Sequence, residues 1–248
     1  MDVAHFLFGI FGNVTALFLF LAPMITFKRI IVNKSTEQFS GIPYVMTLLN
    51  CLLSAWYGLP FVSPHNILAS TVNGTGAVIE IIYVLTFIVF APKKEKIKIF
   101  GLFTGVLSVF SVVVFVSLFA LHGAPRKIFC GFPAAIFSVI MYGSPLSVMR
   151  LVIKSKSVEF MPFFLSLFAF LCGTSWFIFG LLGHDPFITV PNGLGSVLGA
   201  IQLILYFIYR DNKGTPKKHG STTKENSLEM GIGKTHHMKQ SNANEIQG

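Results

Sequence analysis

A chain of 248 residues that is 53% hydrophobic and 12% charged, with 27 phenylalanines, has too little polar surface to fold as a water-soluble domain. Its net charge of +9 does not mark a nucleic-acid-binding protein, because the basic residues gather in short turns and a tail between apolar stretches. The three cysteines, Cys51, Cys130 and Cys172, lie within or at the ends of those stretches and the seven histidines lack His-x-x-x-His spacing, so neither a disulfide framework nor a metal site is implied, and no cofactor is expected.

Seven apolar stretches, at 6–27, 43–61, 67–91, 99–121, 129–149, 162–182 and 188–209, can each cover a hydrocarbon core of about 30 Å, which takes about 20 helical residues. The first starts almost at Met1 without a basic segment or a small-residue cleavage site, so it is expected to be retained as a span. Along it Gly9, Gly12 and Ala16 let a neighbouring helix come close. Near its end Pro23 removes the hydrogen bond to the Leu19 carbonyl. A short polar turn from Lys28 to Ile42 leads to Pro43, which opens span two. That span carries Ser54 and ends in Trp56-Tyr57-Gly58-Leu59-Pro60, an interfacial aromatic cluster. Span three carries Asn73 and, seven residues on, Glu80. Two helical turns place both on nearly one stripe, which must face protein or water because a carboxylate facing lipid is costly.

Spans five to seven repeat spans one to three. Pro23, Lys28, Lys34-Ser35-Thr36-Glu37 and Pro43 return as Pro145, Arg150, Lys156-Ser157-Val158-Glu159 and Pro162, and Asn73-Gly74-Thr75-Gly76 returns as Asn192-Gly193-Leu194-Gly195; the first block, from Pro23 to Glu37, recurs at a spacing of 122 residues and the last at 119. Internal repeats in a hydrophobic chain are the mark of a transporter scaffold. Span four has no partner, and adding it between two three-span copies makes the copies parallel. The expected fold is all-α: two parallel three-helix bundles, residues 1–97 and 123–210, joined by a linker helix in 98–122. Residues 211–248, polar and without an aromatic residue, are expected to form a disordered basic cytosolic tail. The turns after spans one, three and five hold ten Lys and Arg and the chain from Arg210 onward seven, against Arg126 and Lys127 on the other side. Positive-inside bias then puts the N-terminus outside and the tail in the cytosol, with the plasma membrane the expected location.

The repeated motifs, Lys34-Ser35-Thr36-Glu37 with Ile42-Pro43-Tyr44, Lys156-Ser157-Val158-Glu159 with Met161-Pro162-Phe163, and the paired Asn-Gly sequences, resemble those of the SWEET family of sugar facilitators, specifically its plant hexose-transporting members, across residues 5 to 210. The resemblance implies a passive, bidirectional uniporter that alternates between outward-open and inward-open states around one sugar site. It implies a sugar pocket at Ser54, Asn73, Trp176 and Asn192, a four-proline hinge at Pro23, Pro43, Pro145 and Pro162, an outer gate at Tyr57 and Asp185, and a homo-oligomer, usually a trimer.

The residues support those roles on their own chemistry. All four prolines fall in one layer on the cytosolic side, where weakened backbone hydrogen bonding suits the rocking of two bundles, although a single membrane proline is no more than a kink. Asn73 and Asn192 could be struts between helices; paired at matched depth, each before a glycine, they also offer a sugar hydroxyl both a donor and an acceptor. Trp176 is either an interface anchor or a platform for the C–H face of a pyranose, and its place in the repeat opposite Ser54 favours the platform. One turn away, Asn50, Cys172, Leu19 and Met141 are expected to line the same cavity, narrow enough to favour a monosaccharide. Glu80 suggests proton coupling as the competing mechanism, but its counterpart in the repeat is Gly199 and no relay surrounds it. A seven-helix receptor would have no use for the repeat, and no nucleophile and base converge to make an enzyme.

Overall fold

The computed structural model describes residues 2–211, which form nine α-helices and no strand: α1 (Val3–Leu21), α2 (Met24–Asn33), α3 (Ile42–Tyr57), α4 (Ile67–Phe90), α5 (Lys93–Phe119), α6 (Gly123–Met141), α7 (Gly143–Ser155), α8 (Phe163–Leu182) and α9 (Pro186–Tyr209). The expected tail from residue 212 lies outside the described residues. Nine helices make seven spans because spans one and five are each broken in two. Six of the spans are long and apolar enough to cross a membrane. The seventh, α3, has only 16 helical residues instead of the 19 expected, because Gly58 and Pro60 stop the helix.

Both breaks have a backbone cause. At the first, the Ala22 amide divides its hydrogen bond between the Phe18 and Leu19 carbonyls, at 3.0 and 3.3 Å, and Pro23 has no N–H to continue the ladder. At the second, the Tyr142 amide turns back to Val139 at 3.1 Å. The helix restarts at Gly143, so Pro145 sits in a first turn, where a missing N–H costs little. Pro43 and Pro162 also occupy helix starts, within the first turn of α3 and at the N-cap of α8. The ladder is therefore interrupted in two places and merely begun in two others.

The repeated Lys-Ser-x-Glu motif is a helix stop. Lys34 and Lys156 end α2 and α7 in the left-handed region, with φ of 49° and 54°. The following serines, Ser35 and Ser157, then accept from the amides of Glu37 and Glu159 at 3.1 and 3.3 Å. The basic turns are accordingly shorter than expected, since α2 stays helical to Asn33, and the four lysines after span three form the first turns of α5.

The helix neighbours follow the repeat. In the first half α4 packs against α1 and α3; in the second, α9 packs against α6 and α8. Between the halves α1 meets α8 and α3 meets α6. Exchanging α1 with α6, α3 with α8 and α4 with α9 turns this pattern into itself, as a 3+1+3 fold of parallel copies requires. Linker α5 breaks the symmetry by packing on α3 and α4 and only lightly on α6.

Helices α8 and α9 approach so closely that a Cβ on Gly199 would lie 2.7 Å from the Phe170 Cα. The matching residue of the first half is Glu80, so α3 and α4 leave room for a carboxyl where α8 and α9 exclude a methyl. Gly199→Val is expected to cost about 3 kcal/mol or more, because backbone cannot yield as a side chain can. A fall in the unfolding temperature of the detergent-solubilised protein checks this.

Candidate functional site: a polar cavity between the halves

A cavity of about 220 Å³ lies between the two halves. Asn73 and Asn192 project into it from matching positions on α4 and α9. Each carboxamide nitrogen donates back to the carbonyl one turn earlier, Asn73 to Ala69 at 2.9 Å and Asn192 to Ile188 at 2.8 Å. Each side chain keeps an oxygen and a second N–H for another partner. Trp176 joins them from α8, and Gly12 on α1 makes the space for its indole: a Cβ there would fall 2.8 Å from Nε1. Gly12 thus accommodates a side chain of the other half.

Ser54, Asn50, Leu19 and Cys172 also line the cavity. Met141 does not, contrary to expectation. It is the last residue of α6, and the inward stripe of Ala134 and Ser138 is continued by Tyr142, whose hydroxyl donates to the Pro191 carbonyl at 2.8 Å. Trp176 stands opposite Ser54 in the repeat: at a spacing of 122 Ser54 matches Trp176 and Gly58 matches Gly180, and those two glycines press on Ser70 and Thr189, which match at 119.

Ser138 escaped the sequence reading. Its hydroxyl donates to Asn50 Oδ1 at 2.9 Å, linking α6 to α3 along the cavity wall. Its counterpart in the repeat is Ala16, so comparison of the copies gave no polar signal there. Glu80 is 3% exposed and does not line the cavity. Its Oε2 has no hydrogen-bond partner among the described residues.

The cavity is closed on the side away from the basic turns. Asp185, 1% exposed, caps α9 through the Phe187 amide at 3.1 Å. Its other oxygen receives the Tyr57 hydroxyl at 2.5 Å, Asn66 Nδ2 at 2.8 Å, the Ser63 hydroxyl at 3.2 Å and Lys127 Nζ at 2.9 Å. Burial pushes this carboxyl up, but the hydrogen bonds from Tyr57 and Lys127 and the lysine charge outweigh it and hold the group below the ordinary carboxylate range. Tyr57, Ser63 and Asn66 belong to the first half, Asp185 and Lys127 to the second. Asn66 is the counterpart of Asp185 at the same spacing of 119, a signal that was available in the sequence. Lys127 had registered only as a topology marker.

Residues 6–95 and 127–214 each match one family model, described as a sugar efflux transporter for intercellular exchange. The chain belongs to this family, the SWEET transporters. It is 74% identical over 214 residues to the bidirectional sugar transporter SWEET1 of Arabidopsis thaliana, covering 86% of this chain and 87% of that one. To bidirectional sugar transporter SWEET1a of Oryza sativa subsp. japonica it is 68% identical, covering 86% and 78%. The solved structure of a eukaryotic SWEET transporter superposes with a TM-score of 0.83 at 48% identity, covering 85% of this chain and 99% of that one. The protein is thus an integral membrane sugar transporter, in a family of transporters rather than enzymes.

Proposed function

We propose that the transporter is a passive, bidirectional uniporter for a monosaccharide such as glucose, working by alternating access. In this reading Asn73 and Asn192 bind sugar hydroxyls, Trp176 meets the apolar face of the ring, and Ser54 completes the site. Leu19, Asn50 and Cys172 shape its walls. Residues 1–97 and 123–210 are the moving halves, joined by 98–122. Pro23, Pro43, Pro145 and Pro162 form the hinge layer, and Tyr57 with Asp185 the outer gate. The N-terminus is outside, the membrane is the plasma membrane, and the assembled form is a homo-oligomer, a trimer by family resemblance.

The observation that carries this reading is the pair of carboxamides placed symmetrically across one cavity, each with unused donor and acceptor capacity. The cavity volume of about 220 Å³ lies below the roughly 300–1,000 Å³ of pockets for drug-sized ligands, and suits one sugar ring better than two. The test is equilibrium exchange in proteoliposomes at equal pH on both sides. Labelled glucose is expected to exchange much faster than labelled sucrose, and equal rates would overturn the monosaccharide assignment.

Glu80 favours proton coupling, since a buried intramembrane carboxyl is costly to keep without a role. Its position away from the cavity lining favours a structural one. Glu80→Gln is expected to leave glucose exchange within about twofold of the parent, the scale of an exchanged neutral hydrogen-bonding group. Accumulation of sugar against its gradient by the parent, driven by a pH difference and lost in this variant, would establish coupling instead.

A further inference from the structure

The two halves are built alike but fastened differently at their inner ends, the side of the basic turns. In the first half Phe27 of α2 stacks on Tyr83 of α4, with ring centres 4.3 Å apart, and meets Tyr44 of α3 edge-on at 4.8 Å. All three are at most 4% exposed. The Tyr83 hydroxyl donates at 3.0 Å to the Phe20 carbonyl, just before the α1–α2 break. Beyond the break, Arg29 Nε and Asn33 Nδ2 both donate to Glu37 Oε1, at 2.9 and 2.7 Å. These bonds, Arg29's foremost, hold the Glu37 carboxyl below its ordinary range. The α2–α3 turn is itself pressed onto the linker: a Cβ on Gly41 would lie 2.8 Å from Phe87 and 3.0 Å from Ile99 of α5.

None of these fastenings is repeated. At the spacings of the repeat, Phe27, Tyr44 and Tyr83 become Met149, Ser166 and Gln202, and Arg29, Asn33 and Glu37 become Leu151, Ser155 and Glu159. Met149 and Val152 of α7 pack with Met161 and Leu198 in a small cluster separate from the main core, which holds Phe27, Tyr44, Tyr83, Phe87 and Ile99. Helix α7 packs on α9 and on α6, from which it is broken at Tyr142.

We propose that the inner mouth opens and closes by movement of α7 about Tyr142, while α2 stays fixed to α3 and α4, and the α2–α3 turn to the linker. This rests on the alternating-access reading and adds to it which half carries the inner gate. The cost of moving α2 includes separating a buried aromatic trio, whereas α7 parts from a smaller cluster and from an exposed contact of Lys156 with the Tyr209 hydroxyl.

The matched positions Ile31 on α2 and Ile153 on α7 are both exposed, at 50% and 47%, and accept spin labels introduced as a non-canonical amino acid. Distances from each to a label at Ile97 on α5 are measured by pulsed electron resonance in lipid nanodiscs, with and without glucose. The Ile153 distance is expected to shift with sugar and the Ile31 distance to hold. Equal shifts in both would overturn the inference and leave alternating access standing. No shift in either, in protein that exchanges glucose, would overturn alternating access itself.

A second variant installs the missing clamp. Leu151→Arg with Ser155→Asn gives Glu159 the partners that Glu37 has, and is expected to slow exchange about two- to fivefold, the scale of a surface ion pair. Adding Glu159→Gln should restore the rate. No slowing, or slowing that Glu159→Gln does not relieve, counts against the inference.

Discussion

Replacing Asn192 with alanine is expected to lower equilibrium exchange of labelled glucose by about one to two orders of magnitude, and replacing Asn73 to do the same. A sugar hydroxyl taken out of water and left without its partner costs about 1–3 kcal/mol, and each carboxamide has both an oxygen and an N–H to give. The effects should be similar because the sites are: each residue sits one turn beyond the carbonyl it bonds, Ala69 or Ile188, and both face one cavity. The double variant should lose less than the product of the two single losses, since in the proposed site both side chains hold the same ligand and do not act independently. Exchange at the parental rate in both single variants would remove the carboxamides from the sugar site.

Much of this arrangement is written in local chemistry that a sequence displays. Proline positions, the recurrence of Lys-Ser-x-Glu and the paired asparagines led to the parallel halves, because each reflects a backbone or packing demand repeated at a fixed spacing. Reading the copies against each other worked while they kept the same chemistry. It failed for Ser138, whose counterpart is an alanine, and for Met141, where symmetry with Leu19 suggested a cavity-lining residue. There the chain departs from its own repeat, because Tyr142 caps α6 and reaches across to Pro191.

The closed side of the cavity was legible only in outline. Tyr57 and Asp185 came from resemblance, while Ser63, Asn66 and Lys127 became part of the same network only when the chain ends of α4, α6 and α9 were brought together. The sequence spacing between Asn66 and Lys127 carries no trace of a shared partner. What the repeat does hold is the N-cap: Asn66 and Asp185 begin equivalent helices and meet where the two halves touch. The position from which this helix starts in each copy has thereby become a contact between the copies.

Substituting Asp185 with asparagine should shift the transporter toward the state open on that side by about two orders of magnitude. The carboxylate accepts from Tyr57, Ser63 and Asn66 of the first half while held by Lys127 of its own half, and losing hydrogen bonds to a buried charge costs about 1.5–3 kcal/mol, a factor of roughly 10 to 150. Cys172 reports on this directly, since it lines the cavity while Cys51 and Cys130 are buried. Its modification by a membrane-impermeant thiol reagent added from that side should accelerate by a comparable factor in the variant; an unchanged rate would show that the network does not hold the gate shut. The same carboxyl fixes the sign of a pH effect. Because its value in the closed protein is lowered, its contribution to closure is complete above the ordinary carboxylate value of about 3.9 and is lost as pH falls through the lowered one. Between pH 5 and 8 Cys172 modification in the parent should therefore not vary through this group, once corrected for the reagent's own dependence on thiolate, and it should rise only in more acid medium. The asparagine variant, with no proton to gain there, should show no such rise.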